Sequence, residues 1–322
     1  ERALGNHGES RPPRYRMRAG LIAARRGDLA AAQAELASLR AEALPEGERA
    51  WYYFLQGLVA EEMRDAGRAG AAYDQAVAVA VSDWQRARLR LTRERLRLAE
   101  GQATEEQANE LRRQAERYAG RRVGTDYAIQ HAVALALLGR RDAATAYLQE
   151  QLVNASEIGA AEAGDDLRLM VGVIAGPGAT IGRVALEQLL GGGRDAAKQR
   201  MALALLAEGA ETSEARGRLR RLLDELLARS PAHALTEELL LARAELALAD
   251  QDHAAAEVDA RALLTRFPGS AQRARALTQL ATVAWELRRF RTAADFAAQA
   301  AGAARDADSR ASLRLLAAEA SY

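Results

Sequence analysis

Apolar residues along this chain recur at helical spacing in short blocks, and polar breaks carrying Gly, Asp or Pro separate one block from the next. The pattern predicts helices near 13–26, 28–42, 48–65, 68–81, 83–100, 104–119, 124–138, 141–154, 162–175, 179–190, 194–208, 212–229, 234–249, 252–266, 271–288, 290–304 and 308–320. Thr104 followed by Gln107 reads as a capping box opening one of them. Helices of about 15 residues are marginal alone in water. They have to lean on neighbours, which makes a stacked array the stable arrangement.

The blocks repeat. Leu226-Leu227-Ala228-Arg229-Ser230-Pro231 matches Leu263-Leu264-Thr265-Arg266-Phe267-Pro268 at a shift of 37 residues. The same shift carries Leu240 onto Leu277, Ala244 onto Ala281, Ala247 onto Ala284 and Ala256 onto Ala293. Upstream, Gly27-Asp28-Leu29-Ala30-Ala31-Ala32 and Gly139-Arg140-Arg141-Asp142-Ala143-Ala144 repeat a polar break followed by a helix. Ala32, Ala144 and Ala256 lie 112 residues apart, close to three units, with Ala72 and Ala108 at intermediate places. Pro45, Pro177, Pro231 and Pro268 fall at predicted helix ends, where a missing N–H does least harm, and Pro12 and Pro13 precede the first helix.

This spacing resembles the tetratricopeptide repeat. That family keeps small residues at its eighth, twentieth and twenty-seventh positions and a proline near its thirty-second. Ala244, Ala256 and Pro268 match the eighth, twentieth and thirty-second positions of one unit. Ala281 and Ala293 match the next, with Phe290 where the family keeps an aromatic. Gly57 takes the eighth position of the second unit, after Trp51-Tyr52-Tyr53-Phe54. The period near 37 is longer than the family's, and the match fades between Ala155 and Arg194, where Gly176-Pro177-Gly178 and Gly191-Gly192-Gly193 interrupt. The resemblance implies an all-α fold: a right-handed superhelical α-solenoid of antiparallel helix hairpins, about eight pairs. The expected organisation is a flexible leader over 1–12, repeats over 13–154, an irregular helical junction over 155–194 and further repeats over 195–322, in one continuous solenoid.

In the family the first helix of each hairpin lines a concave groove through positions 2, 5, 9, 12 and 13. By resemblance these are Arg14, Met17, Leu21, Ala24 and Arg25 in the first unit, and Trp51, Phe54, Leu58, Glu61 and Glu62 in the second. In the last full unit they are Arg275, Thr278, Thr282, Trp285 and Glu286. Trp51, Phe54 and Trp285 are the candidate anchors, because aromatics dominate interface energetics; packing between hairpins is their competing role. Members that clamp a chaperone's C-terminal carboxylate use Lys and Asn. Here Lys198 and Asn6, Asn109 and Asn154 all miss the mapped positions, which argues against that specificity.

Composition narrows the classes. Hydrophobic residues make up 49% although aromatics are only 5%, so Ala and Leu carry the core and favour closely spaced helices. Lys+Arg is 45 against Asp+Glu 44, which gives no global pull toward nucleic acid or anionic lipid. Lys198 is the single lysine, a usage that points to a GC-rich bacterial genome. There is no cysteine, which removes disulfides, thiolate metal sites and cysteine nucleophiles together. No apolar run is long enough to cross a bilayer. The chain begins at Glu1 rather than Met and so reads as a piece of a longer protein.

Catalytic constellations are missing. His7, His131, His233 and His253 form no metal-binding spacing, and His131 and His253 read as packing residues. Gly176–Gly182 looks superficially like a phosphate loop, but helix precedes it, so it reads as a hairpin turn. Glu61-Glu62 and Asp165-Asp166 read as solvated surface. Arg86, Arg90, Arg93 and Arg97 line one helical face, a candidate basic footprint for nucleic acid or an acidic peptide, against which stands a salt-bridged face. No cofactor or metal is implied. The expectation is a non-catalytic scaffold that holds a protein or peptide segment in its groove. Alternatives are a ligand-sensing or regulatory module of a larger protein, or a polymer-handling subunit of exopolysaccharide secretion. Phe267-Pro268-Gly269-Ser270 looks like repeats of bacterial envelope proteins such as the outer-membrane assembly lipoproteins and the periplasmic cell-division coordinator. That leans the expected location toward the periplasm, with the cytoplasm as the alternative.

Overall fold

The computed structural model describes residues 12–157 and 161–321, apart from the side chains of 157 and 161. His7 and the expected leader up to residue 11 lie outside the described residues. Among the described residues the fold is all-α. The helices are α1 (Pro13–Arg25), α2 (Leu29–Ala37), α3 (Glu46–Glu62), α4 (Ala66–Ala78), α5 (Asp83–Ala99), α6 (Glu105–Arg117), α7 (Arg122–Leu137) and α8 (Arg141–Glu157). They continue with α9 (Ala161–Ala175), α10 (Thr180–Gly192), α11 (Ala196–Glu208), α12 (Ser213–Leu227), α13 (Thr236–Ala249), α14 (His253–Arg266), α15 (Arg273–Glu286), α16 (Phe290–Ala303) and α17 (Ala307–Ser321). The predicted helices are all present. The second ends early, and a short 3-10 turn at Ala41–Ala43 follows it. The chain divides into two compact units, Glu1–Gln151 and Leu152–Tyr322.

Within each unit the helices pair as antiparallel hairpins, odd-numbered helix first. One turn closes six of these pairs. The first helix ends in a residue with left-handed backbone, at Gly27, Arg64, Gly101 and Gly139 in the first unit and at Gln251 and Arg288 in the second. The next N–H then bonds back to the carbonyl five residues earlier, at 2.7–3.1 Å, as in Asp28 to Ala23, Asp65 to Ala60 and Asp252 to Ala247. This is the Schellman closure, which satisfies carbonyls a helix end would otherwise leave open. Asp28, Asp65 and Asp252 then turn their carboxylates onto N–H groups of the second helix and cap it. One short polar break thus ends one helix and starts another.

Small residues set how close the two helices come. The fourth residue of the second helix is Ala32, Ala69, Ala108, Ala144, Ala256 or Ala293, each buried to 0–1% exposure. The 112-residue spacing therefore marks equivalent environments. Ala69 takes the place read at Ala72, which is only half-buried. On the first helix, Gly20, Gly57 and Gly172 let a partner side chain lie against bare backbone, Gly57 against the Tyr73 ring and Gly172 against Leu186. Ala244 and Ala281 fill the same role and are fully buried. Leu226 and Leu263 of the duplicated string are both fully buried at the ends of α12 and α14.

The stretch over 155–194 holds helices α9 and α10, which pack on each other across a turn at Gly176–Ala179. Asp165-Asp166, read as solvated surface, is neither free nor exposed. Asp165 is 2% exposed, and its Oδ2 accepts the backbone N–H groups of Arg194 (2.7 Å) and Asp195 (3.1 Å). Asp165 thereby holds the Gly-rich entry to α11 by its backbone donors. Asp166 meets Lys198, the single lysine, at 2.6 Å. Replacing Asp165 with Ala is expected to lower stability by about 2 kcal/mol, because two charge-assisted hydrogen bonds vanish and their part-buried donors lose the carboxylate that holds them. A urea midpoint equal to that of the parent chain would refute this.

Candidate binding surface

The first helices of neighbouring hairpins lie side by side, so their outer residues build a shared surface in each unit. In the first unit the open face of α5 carries Trp84, Arg88, Leu91, Thr92 and Arg95, spaced by four, three, one and three residues along one stripe. Across from it α7 presents Arg122, Val123, Asp126, Ile129 and Gln130, and the two helices enclose a cleft of about 500 Å³. Trp84 is 52% exposed. Its ring meets the Trp51 ring edge-on at 6.4 Å, and the Arg88 guanidinium sits 5.1 Å above it. Arg95 approaches Glu61 of α3 at 3.6 Å, and Arg122 pairs with Asp126 at 3.1 Å.

The residues read as groove-lining scatter over several environments. Met17 is a correction: it is 2% exposed and packs with Leu39 and Leu44, so it has no surface to offer. Trp51 and Phe54 are half-buried and pack on the core around Ala50, Ala76 and Leu89. Their rings stand 5.8 Å apart, and Phe54 lies 5.7 Å from Tyr73. Arg14 and Arg25 are exposed, Arg14 over the Tyr15 ring. Glu61 is half-buried and accepts the Tyr73 hydroxyl at 2.7 Å, while Glu62 is exposed.

The second unit repeats the arrangement on α11, α13 and α15. Arg200, Glu238, Glu245 and Arg275 rim a cleft of about 310 Å³ floored by Leu203, Leu241 and Ala242. Arg200 pairs with Glu238 at 2.8 Å and Arg275 with Glu245 at 2.6 Å, so each charge on that rim meets its opposite. Thr278 and Thr282 donate their hydroxyls to carbonyls of their own helix. Trp285 is half-buried against Ala284, Ala293 and Ala320 with Phe290 edge-on at 5.3 Å. Glu286 is exposed and bonds His253, which therefore makes a polar contact where an aromatic packing role was expected.

The candidate basic face is also corrected. Arg86 pairs with Asp83 and donates to the Ala80 carbonyl, Arg93 meets Asp74 at 3.0 Å, and Arg97 meets Glu94 at 3.2 Å. Arg90 lines a cleft of about 330 Å³ shared with Glu94, Glu106, Glu110 and Tyr127. Arg93 thus ties α5 to α4, Arg86 and Arg97 are paired along α5 itself, and the face is not a free cationic stripe. The cleft has a sequence cause. Glu94 is the twelfth residue of its 17-residue helix, the place Gly57 holds in α3. A carboxylate there keeps α5 and α6 apart and takes up the Gln107 side chain at 2.5 Å. Thr104 still caps α6 through the Gln107 N–H, so only half of the expected capping box forms. His131 is buried, bonds the Ala108 carbonyl at 2.8 Å and stands edge-on to Tyr147. Its burial holds the imidazole pKa below the usual range.

Trp84, Arg88 and Arg95 stood out in the sequence only as part of the arginine-rich run over 83–100, and neither they nor Leu91 were read as groove-lining. The 37-residue period carries Trp51, Phe54 and Leu58 onto Arg88, Leu91 and Arg95 and would have placed those three in the groove, though not Trp84. The described residues hold no group of three or more His, Asp or Glu side chains fit to bind a metal ion. None of the described helices is long and apolar enough to cross a membrane.

No protein-family model matches the chain, and no curated protein matches it. Among solved structures, a tetratricopeptide repeat protein from Parabacteroides merdae is 14% identical, with 84% of this chain and 98% of that one covered at a TM-score of 0.39. The apo form of RapI is 12% identical, with 98% and 88% covered at a TM-score of 0.42. Overlays this loose carry no function, and the assignment rests on the chain's own repeated turns, alanines and glycines. By those features it has a tetratricopeptide-like helical-repeat fold.

Proposed function

We propose that the chain is a non-catalytic interaction scaffold that receives a segment of another protein on the α3–α5–α7 surface of its first unit. The observation that carries this is Trp84. A half-exposed indole, braced edge-on by Trp51 and overlain by Arg88, leaves about half of its surface in solvent, 52% exposed. Rigid aromatics of this kind are the usual anchors of interfaces. A bacterial envelope setting, periplasmic in location, belongs to the same proposal and is supported by the Phe267–Ser270 string alone.

Panning a displayed library of random linear peptides against the purified chain tests the reading. Related sequences are expected to emerge and to bind roughly tenfold more weakly to a Trp84→Ala variant, the scale of one lost anchor. The fold should survive, since Trp84 contributes little to the core. Selected peptides that bind the variant as well as the parent would dismiss this surface.

A further inference from the structure

The two first-helix surfaces share a register but differ in charge. On the second unit's rim, two arginines face two glutamates in direct pairs. On the first unit's rim, Arg88 lies over an indole and, among the described residues, meets no carboxylate. Arg95 is 56% exposed and holds Glu61 only at 3.6 Å, beyond hydrogen-bond distance. The α5 stripe thus offers an aromatic plate, one cation with no carboxylate against it among the described residues, and a second held only by a long, solvent-exposed ion pair. Arg88 and Arg95 are seven residues apart, about 10 Å along a helix axis.

We infer that the partner segment is acidic: an apolar side chain on Trp84, followed by two carboxylates about 10 Å apart that engage Arg88 and Arg95. The inference rests on the scaffold reading and adds the partner's chemistry. Planar guanidiniums suit carboxylates because they donate in parallel pairs. Arg88 is already oriented by its contact with the Trp84 ring, which lowers the entropy lost on binding. The self-paired rim of the second unit would have to give up two ion pairs to take the same ligand.

The probe is a synthetic fluorescent peptide with one Leu and four Glu, its Glu→Gln and Glu→Lys counterparts, and a single-stranded oligonucleotide of equal charge. Binding is read by anisotropy at low and high salt. The acidic peptide is expected to bind roughly fivefold to tenfold more tightly than the Gln form and to weaken with salt, as exposed charge pairs do. An Arg88→Glu/Arg95→Glu variant is expected to prefer the Lys form, while Arg200→Glu leaves binding unchanged. Equal binding of the Glu and Gln peptides would overturn the charge inference and leave the groove standing. Tighter binding of the oligonucleotide, lost in the same double variant, would overturn it in favour of nucleic acid. If no peptide of the panel binds and the displayed library yields none, the groove reading falls as well.

Discussion

Replacing Arg243 with Met is expected to lower stability by about 3–5 kcal/mol, the largest loss we expect from a single side chain. Arg243 sits on α13 and reaches both flanking second helices. Its guanidinium grips Asp259 of α14 with two bonds, at 2.8 Å and 2.6 Å, and extends to Asp224 of α12. Asp259 is 4% exposed. Without the arginine, a carboxylate stays in the core between α13 and α14 with no cation. Bringing it out means parting helices that meet through Ala244, Ala247, Ala256 and Ala260. The hydrogen bond to Asp259 is also what chiefly raises the Arg243 pKa, so the cation is favoured by the site it occupies. The pair is costly to break yet need not be worth much as a pair. An Arg243→Met/Asp259→Leu double variant is expected to recover most of the loss. Asp224→Ala is expected to cost less than about 1 kcal/mol, because that carboxylate is mostly in solvent. Urea unfolding of the three variants decides it; an Arg243→Met midpoint near the parent's would show that Asp259 finds water or another donor.

The same pairs show where sequence reading stops. Helix positions and the small-residue contacts were legible because each follows from local rules. A polar break with Gly or Asp closes and caps, and an apolar stripe of period 3.6 buries. The position of Ala32, Ala144 and Ala256 followed from spacing alone. Ion pairs between hairpins are set by three-dimensional register, which the sequence does not display. Arg86, Arg93 and Arg97 fall on a helical face that looks like a basic footprint on paper. In the fold Asp83 and Glu94 meet Arg86 and Arg97 from three residues away on α5 itself, the part of the pairing that local spacing does display, while Arg93 is met by Asp74 of α4. Asp165-Asp166 looked solvated for the same reason: the N–H groups it serves lie 29 and 30 residues away. Met17 failed differently. The repeat position was transferred, but in the fold Met17 turns into the pocket of Leu39 and Leu44 after the short α2. The open stripe of α5 was within reach, since the period that gave Gly57 also gives Arg88, Leu91 and Arg95. The wedge at Glu94 comes from the same register, where a carboxylate replaces the glycine.

That register makes Gly57 a highly sensitive small residue of the first unit. A Cβ at Gly57 would lie 2.2 Å from Cε1, 2.4 Å from Cδ1 and 2.8 Å from Cζ of Tyr73. No relaxed packing tolerates such distances, so either the ring or the helix has to move. The ring is fixed on each side. Tyr73 is fully buried, its hydroxyl donates to Glu61, and Phe54 lies against it. Moving α4 instead would open the contact at Ala69, which is also fully buried. Alanine's better helix propensity returns only about 1 kcal/mol. Gly57→Ala is therefore expected to destabilise by about 3 kcal/mol net, at the upper end for overpacking. The clash and the ring should be coupled. In a Gly57→Ala/Tyr73→Leu double variant the smaller side chain makes room, and the combined loss is expected to fall well short of the sum of the two single losses. Strict additivity would mean that α3 and α4 adjust independently. The close approach at Gly57 would then not be what sets the spacing of this hairpin, and Glu94 would lose its explanation as the wedge of the next.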